Sequence, residues 1–180
     1  MSSDLDDIVS SMELQDGLSF YLLVNRLKPS AMVDSLYVDL AEDYGLKSKY
    51  DSLGSSVFMS YDKELLEKLY EFDRTNDTFN MGLALGYPEE ACRAFLRGWQ
   101  RGTDFFMHVS RSFDKTGKLP IHLAYLPYVP EPEAVEDEDS PSSIIGKRNM
   151  EFVQEWAPKL SRKLEYNFKI IVLNIKYFYR

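Results

Sequence analysis

The sequence contains very little cysteine, and Cys92 is the only one. The chain can therefore form no internal disulfide, and it cannot supply a four-cysteine zinc site. It also lacks a secretory start, because acidic residues (Asp4, Asp6, Asp7) stand near the N-terminus, where such a signal needs basic residues and then an apolar run. The most apolar stretch, residues 170–175, is too short to cross a bilayer. These absences predict a cytoplasmic protein that has no membrane partner.

The common nucleotide-binding and metal-binding motifs are also missing. There is no G-x-G-x-x-G, no G-x-x-x-x-G-K-[ST], no H-E-x-x-H and no acidic calcium loop, and only two histidines. The sequence therefore predicts no cofactor and no metal. A nucleophilic cysteine needs a base, and His108 is a candidate partner for Cys92. The helical face of Cys92 also carries Ala91, Phe95, Leu96 and Trp99. Such a face favours a buried core cysteine over a catalytic one.

Acidic residues outnumber basic ones, and the formal net charge is −8. A surface of that sign repels phosphate backbones and anionic membranes, so nucleic-acid binding is disfavoured. The C-terminal segment differs, because it is rich in basic and aromatic residues such as Arg162, Lys163, Tyr166 and Lys169. It fits a stacking surface for nucleic acid, or a segment that docks on its own domain or a second subunit. We favour docking, since an apolar segment left in water promotes aggregation.

Hydrophobic residues make up 44% of the chain and aromatic residues 14%, which is enough for a core. The spacing of apolar residues predicts helices over residues 5–12, 18–27 and 65–72, and a further helix that starts after Pro88. Residues 55–60 predict a short buried strand. We therefore predict one α+β domain over residues 1–180, mostly helical and with a small sheet.

Other segments are ambiguous or irregular. Residues 33–46 fit either helix or strand, residues 76–80 predict a polar loop, and residues 119–129 predict an extended segment. Periodicity does not decide between helix and strand for the last segment, residues 164–178. The acidic stretch EPEAVEDEDS, residues 131–140, predicts a mobile and poorly packed loop. The alternative for this stretch is an acidic arm for a basic partner.

The motif GLALGYP at residues 82–88, followed by a helix, resembles an uncharacterised, mainly archaeal family. In that family a Leu-Gly-Tyr-Pro turn precedes a pair of cysteines, and a second stretch with proline and cysteine lies downstream. The resemblance covers residues 55–156, and the downstream counterpart is 122–145. This chain departs from the family at the cysteines, because Glu89, Glu90 and Ala91 precede a lone Cys92. If the family's cysteines hold a metal, this chain has lost the ligands, so the resemblance implies a fold and no activity.

Three functions are compatible with the sequence. The leading hypothesis is a non-catalytic protein that self-associates or binds a protein partner, because catalytic motifs are missing and aromatic residues are abundant. The alternative is an enzyme or ligand-binding protein with a pocket at the turn 85–93. Its candidate residues are Tyr87, Glu90, Cys92, Arg93 and His108. A third function is nucleic-acid binding through the C-terminal segment. A deep polar pocket at Tyr87 would favour the second function, and a flat two-fold apolar contact would favour the first.

Overall fold

The computed structural model describes residues 3–99 and 102–178. Within these ranges it contains nine α-helices and one three-stranded antiparallel sheet. The helices are α1 (Ser3–Ser11), α2 (Leu14–Val24), α3 (Leu40–Asp43), α4 (Lys63–Arg74), α5 (Thr78–Ala84), α6 (Glu89–Leu96), α7 (Gly102–Thr116), α8 (Pro141–Trp156) and α9 (Pro158–Phe178). The strands are β1 (Ser30–Asp34), β2 (Lys47–Tyr50) and β3 (Ser56–Ser60). The mostly helical α+β fold predicted from the sequence is confirmed.

The sheet has β3 at its centre, in the order β1-β3-β2. The predicted strand at 55–60 is therefore confirmed, and Val57, Phe58 and Met59 are fully buried in it. The ambiguous segment 33–46 contains the end of β1, a short 3₁₀ helix and α3. The Asp34 carboxylate accepts a hydrogen bond from the Leu36 N–H at 2.8 Å. This local bond starts the 3₁₀ helix and ends the strand.

Helix α2 lies at the centre of the core. Its residues Leu18, Phe20, Leu22 and Leu23 are each at most 2% exposed. Because they point in several directions around the axis, α2 must be covered on all sides. α1, β1 and α9 pack against it, so the helix that contains most of the predicted stretch 18–27 occupies a central position.

The C-terminal segment forms α9, so its conformation is helical. Leu160, Leu164, Phe168 and Val172 recur every four residues, and each is at most 4% exposed. This face packs against α1, α2, α7 and α8. Of the two predicted docking surfaces, its own domain or a second subunit, this face of the helix packs on its own domain.

Asp6 connects α1 to α9. Its carboxylate accepts hydrogen bonds from the main-chain N–H groups of Lys159 and Leu160, each at 3.0 Å. These amides lie in the first turn of α9, where no carbonyl of the same helix can accept from them. Asp6 is only 7% exposed and caps α9 from a distant part of the chain.

The acidic segment 131–140 is packed over much of its length, so the expectation of a poorly packed loop is wrong there. Pro132–Val135 forms a 3₁₀ helix, and Ala134 and Val135 are buried. The Glu131 carboxylate, 2% exposed, accepts hydrogen bonds from the Ser142 N–H at 3.1 Å and from the Ser142 hydroxyl. It is buried because the first turn of α8 supplies donors, which the composition of the segment does not reveal. Residues 136–139 are exposed as predicted.

Two further predictions about local structure are wrong. Part of the predicted loop 76–80 is the start of α5, where the Asp77 carboxylate accepts from the Asn80 N–H at 3.1 Å. The stretch 119–129 is not simply extended, because Ile121–Tyr125 forms a 3₁₀ helix. In both places a short local hydrogen-bonding pattern replaces the conformation that residue type suggests.

The Asp6→Ala variant should lose about 1–3 kcal/mol of unfolding free energy, because two amides of α9 lose a buried partner. The measurement is urea unfolding followed by circular dichroism. The matched control is Asp7→Ala, which removes only an exposed ion pair with Lys159 and should cost about 0.5 kcal/mol or less. Equal losses in the two variants would contradict the capping role of Asp6.

Candidate functional site

The turn between α5 and α6 positions the site. Gly86 has φ +83°, a conformation that glycine adopts without strain. A Cβ on Gly86 would lie 2.7 Å from Cδ of Pro29, so the turn packs closely against the residues that lead into β1. Tyr87 follows directly, and α6 begins after Pro88 with that residue as its N-cap. The predicted helix after the Leu-Gly-Tyr-Pro turn is confirmed.

A cavity of about 250 Å³ lies beside this turn, and we call it the Tyr87 cavity. Its walls come from five parts of the chain: Met32 of β1; Thr78, Met81 and Gly82 of α5; Leu85 and Tyr87 of the turn; Ala91, Cys92 and Phe95 of α6; and Pro127, Tyr128 and Val129. None of these residues is charged. The cavity is therefore suited to a neutral, mainly apolar molecule.

Two tyrosine rings form one side of the cavity. The rings of Tyr87 and Tyr128 have their centroids 4.6 Å apart and are tilted by 34°. The Tyr87 hydroxyl donates to the carbonyl of Pro127 at 3.4 Å, and the Tyr128 hydroxyl lies 3.3 Å from Oγ of Ser142. Burial is the main cause that raises the pKa of both phenols, so both stay neutral at physiological pH.

Cys92 contributes a thiol to the cavity wall. It is 5% exposed, and a Cβ on Gly82 would lie 2.7 Å from its Sγ. Burial, together with the negative charges of Glu89 and Glu90, raises the pKa of the thiol. A raised pKa keeps the sulfur protonated, so Cys92 lacks the activation that a nucleophilic cysteine needs.

Lys28 lies close to Tyr87 and was missed by the sequence analysis. Its Nζ is 5.2 Å from the centroid of the Tyr87 ring and donates to Oγ of Ser19 at 2.9 Å. The residue is 9% exposed, and burial lowers the pKa of its amine to about 7. No sequence signal marks Lys28, because its burial follows from α2, β1 and the turn closing around it.

The structure does not bring all the predicted residues together. Tyr87 and Cys92 line the cavity, whereas Glu90, Arg93 and His108 do not. Glu90 and Arg93 lie on the exposed side of α6, where Arg93 pairs with Glu89. His108 is on α7, with its Nε2 4.0 Å from the Glu136 carboxylate. The predicted polar pocket is therefore replaced by an apolar one, because the helical phase of α6 turns its charges to solvent.

The face predicted for α6 also needs a correction. Cys92 is buried as predicted, but Phe95 is 39% exposed and Leu96 is 55% exposed. Ala91 is buried beside Cys92 as predicted, and Ala94, which the predicted face did not include, is buried with them. Small residues therefore form the contact face, which leaves the aromatic ring of Phe95 at the cavity wall.

Comparisons with protein-family models, with curated protein sequences and with solved structures give no match. The resemblance to the archaeal family therefore stays a prediction. Among residues 3–99 and 102–178, no three His, Cys, Asp or Glu side chains are placed to hold a metal ion. No helix in those ranges is both long and apolar enough to span a membrane.

The buried amine of Lys28 predicts a particular dependence of stability on pH. Between the folded pKa of about 7 and the ordinary value of 10.5, the unfolded state binds a proton that the folded state does not. Stability contributed through Lys28 therefore rises with pH in this window. From about pH 7 to about pH 9, the unfolding free energy of the wild type should gain about 2–3 kcal/mol relative to Lys28→Met.

The measurement is urea unfolding of both proteins at a series of pH values. Lys68→Met is the matched control, because Lys68 is exposed, and its difference from the wild type should stay flat. Parallel curves for the wild type and Lys28→Met would show that the Lys28 amine is well solvated.

Proposed function

We propose that the protein binds a small, neutral and mainly apolar molecule in the Tyr87 cavity, without catalysing a reaction on it. The observation that carries this proposal is an apolar cavity of about 250 Å³ with two adjoining tyrosine rings and no charged wall residue. An apolar pocket with a few polar groups is the usual form of a small-molecule site. A cavity of about 150 Å³ already accepts benzene, so a molecule of one or two rings matches this size.

The chemistry of the wall supports binding over catalysis. The thiol of Cys92 and the phenols of Tyr87 and Tyr128 all have raised pKa values, so the cavity presents neutral groups at physiological pH. The Tyr87 hydroxyl is already bonded to Pro127, and that of Tyr128 lies next to Ser142. These bonds fix the rings as flat apolar walls and leave few groups for proton transfer.

The other functions predicted from the sequence stay predictions. They are self-association, binding of a protein partner, and nucleic-acid binding through the C-terminal segment. Cytoplasmic location and the absence of a cofactor also stay predictions.

The proposal is tested with two fluorescent probes that share one ring system. 2-Methoxynaphthalene is neutral, whereas naphthalene-2-sulfonate carries a negative charge. We expect the neutral probe to bind the full-length protein more tightly, because the cavity offers no charge partner for a sulfonate. Fluorescence titration of each probe gives the two dissociation constants.

The location of the probe is read from Cys92, the only thiol in the chain. With the neutral probe at about ten times its Kd, the reaction of Cys92 with N-ethylmaleimide should slow about tenfold. This readout needs no variant and hence no assumption about folding. Failure of the neutral probe to bind, or binding that leaves the Cys92 rate unchanged, would contradict the proposal.

A further inference from the structure

Helix α9 has a second apolar face, opposite to the face that packs in the core. Tyr166, Ile170 and Leu173 are 69%, 37% and 40% exposed. They are separated by four and then three residues, which is the spacing of seam positions d, a and d in a two-helix coiled coil. Scattered exposed apolar residues are ordinary, whereas three in one helical seam form a surface. We call these three residues the outward face of α9.

Basic residues flank the outward face. In the same register, Arg162 and Lys169 occupy g positions, and Lys163 occupies the a position one turn before Tyr166. Charged e and g residues in a coiled coil decide which partner helix is accepted. The basic residues that flank the outward face therefore favour a partner helix that carries negative charge.

The positive charge of these basic residues is only partly neutralised. The Lys163 ammonium donates to the main-chain carbonyls of Ser10 and Met12, at 3.2 and 2.9 Å, and these acceptors are uncharged. Glu165 is the only acidic residue of α9, and it pairs with Lys169. Carboxylates of a partner helix would pair with the basic residues that flank the outward face.

A second copy of α9 does not fit this face well. An antiparallel pair would place the g positions Arg162 and Lys169 against the same positive residues of the other copy. A parallel pair would place Lys163, at an a position, directly against the same residue of the other copy. Like charges in contact across an interface oppose association.

Nucleic acid and membranes fit less well than a protein helix. Ile170 and Leu173 place aliphatic side chains where a phosphate backbone needs hydrogen-bond donors. Helices that recognise anionic lipids gather about four to eight basic residues, whereas Asn167 and Asn174 occupy the e positions of this face and leave basic residues along one side only.

We infer that the outward face of α9 binds an amphipathic helix of a partner protein, with apolar seam residues and acidic flanking residues. This binding surface is separate from the Tyr87 cavity and does not depend on a ligand there.

The test uses a synthetic peptide of about three heptads, with Leu at a and d and Glu at e and g. The matched control peptide has Lys in place of every Glu. Each peptide is labelled with fluorescein and titrated with the full-length protein, and anisotropy gives the Kd. We expect the Glu peptide to bind at least about tenfold more tightly than the Lys peptide, with a preference that weakens at high salt.

Two variants and one control variant test whether the peptide binds at the outward face of α9. Ile170→Asn together with Leu173→Asn should weaken binding of the Glu peptide about tenfold or more. Ile144→Asn changes an apolar residue of α8 that is 57% exposed and should leave binding unchanged. Arg162→Glu should reduce the preference for the Glu peptide, and it tests the charge requirement independently if the double variant fails to fold. Circular dichroism checks the fold of each variant.

Four outcomes would overturn the inference. The first is equal affinity for the two peptides, and the second is binding of the Glu peptide that persists in the Ile170 and Leu173 double variant. The third is a wild-type dimer that dissociates in the double variant. The fourth is wild-type binding to phosphatidylserine vesicles that is lost in the double variant. Sedimentation velocity and vesicle flotation on the same proteins measure the last two.

Discussion

The fold depends on the burial of α2. An apolar helix with buried side chains in several directions cannot lie on a surface, so other elements must enclose it. α1, β1 and α9 pack against it directly, and together they use residues from both ends of the chain. The remaining helices and the sheet extend this shell. Removal of any covering element would expose side chains such as Leu18 or Phe20, which are now excluded from water.

The candidate site lies next to this enclosure. The residues that follow α2 lead back along it to β1. Lys28, in this connection, lies between Ser19 of α2 and the ring of Tyr87. The tight turn at Gly86 can approach this part of the chain only because that position has no Cβ. The same packing that buries the amine also holds Tyr87 against Tyr128, so the cavity wall is built from residues distant in sequence.

The sequence predicted structure well wherever local periodicity was strong. The helix at Leu65 to Phe72, the strand at Val57 and Phe58, and the helix after Pro88 are all present. It failed where a few hydrogen bonds decide the conformation, as at Glu131 and Asp77. For the candidate site, Tyr87 and Cys92 were found because they lie in one short segment. Met32, Tyr128 and Lys28 were missed. They lie near Tyr87 only because of tertiary packing, which no local sequence pattern indicates.

The cap that Asp6 provides for α9 has a consequence for the synthesis of the chain. Asp6 emerges from the ribosome about 150 residues before its hydrogen-bond donors, Lys159 and Leu160. Until then α1 cannot complete its packing, and α2 lacks the cover that α9 supplies. Long sequence separation between contacting residues slows folding, because the loop must close before the contact stabilises it. The apolar helix α2 is therefore incompletely covered while the residues between it and α9 are synthesised, and a nascent chain in that state is open to chaperones and to aggregation.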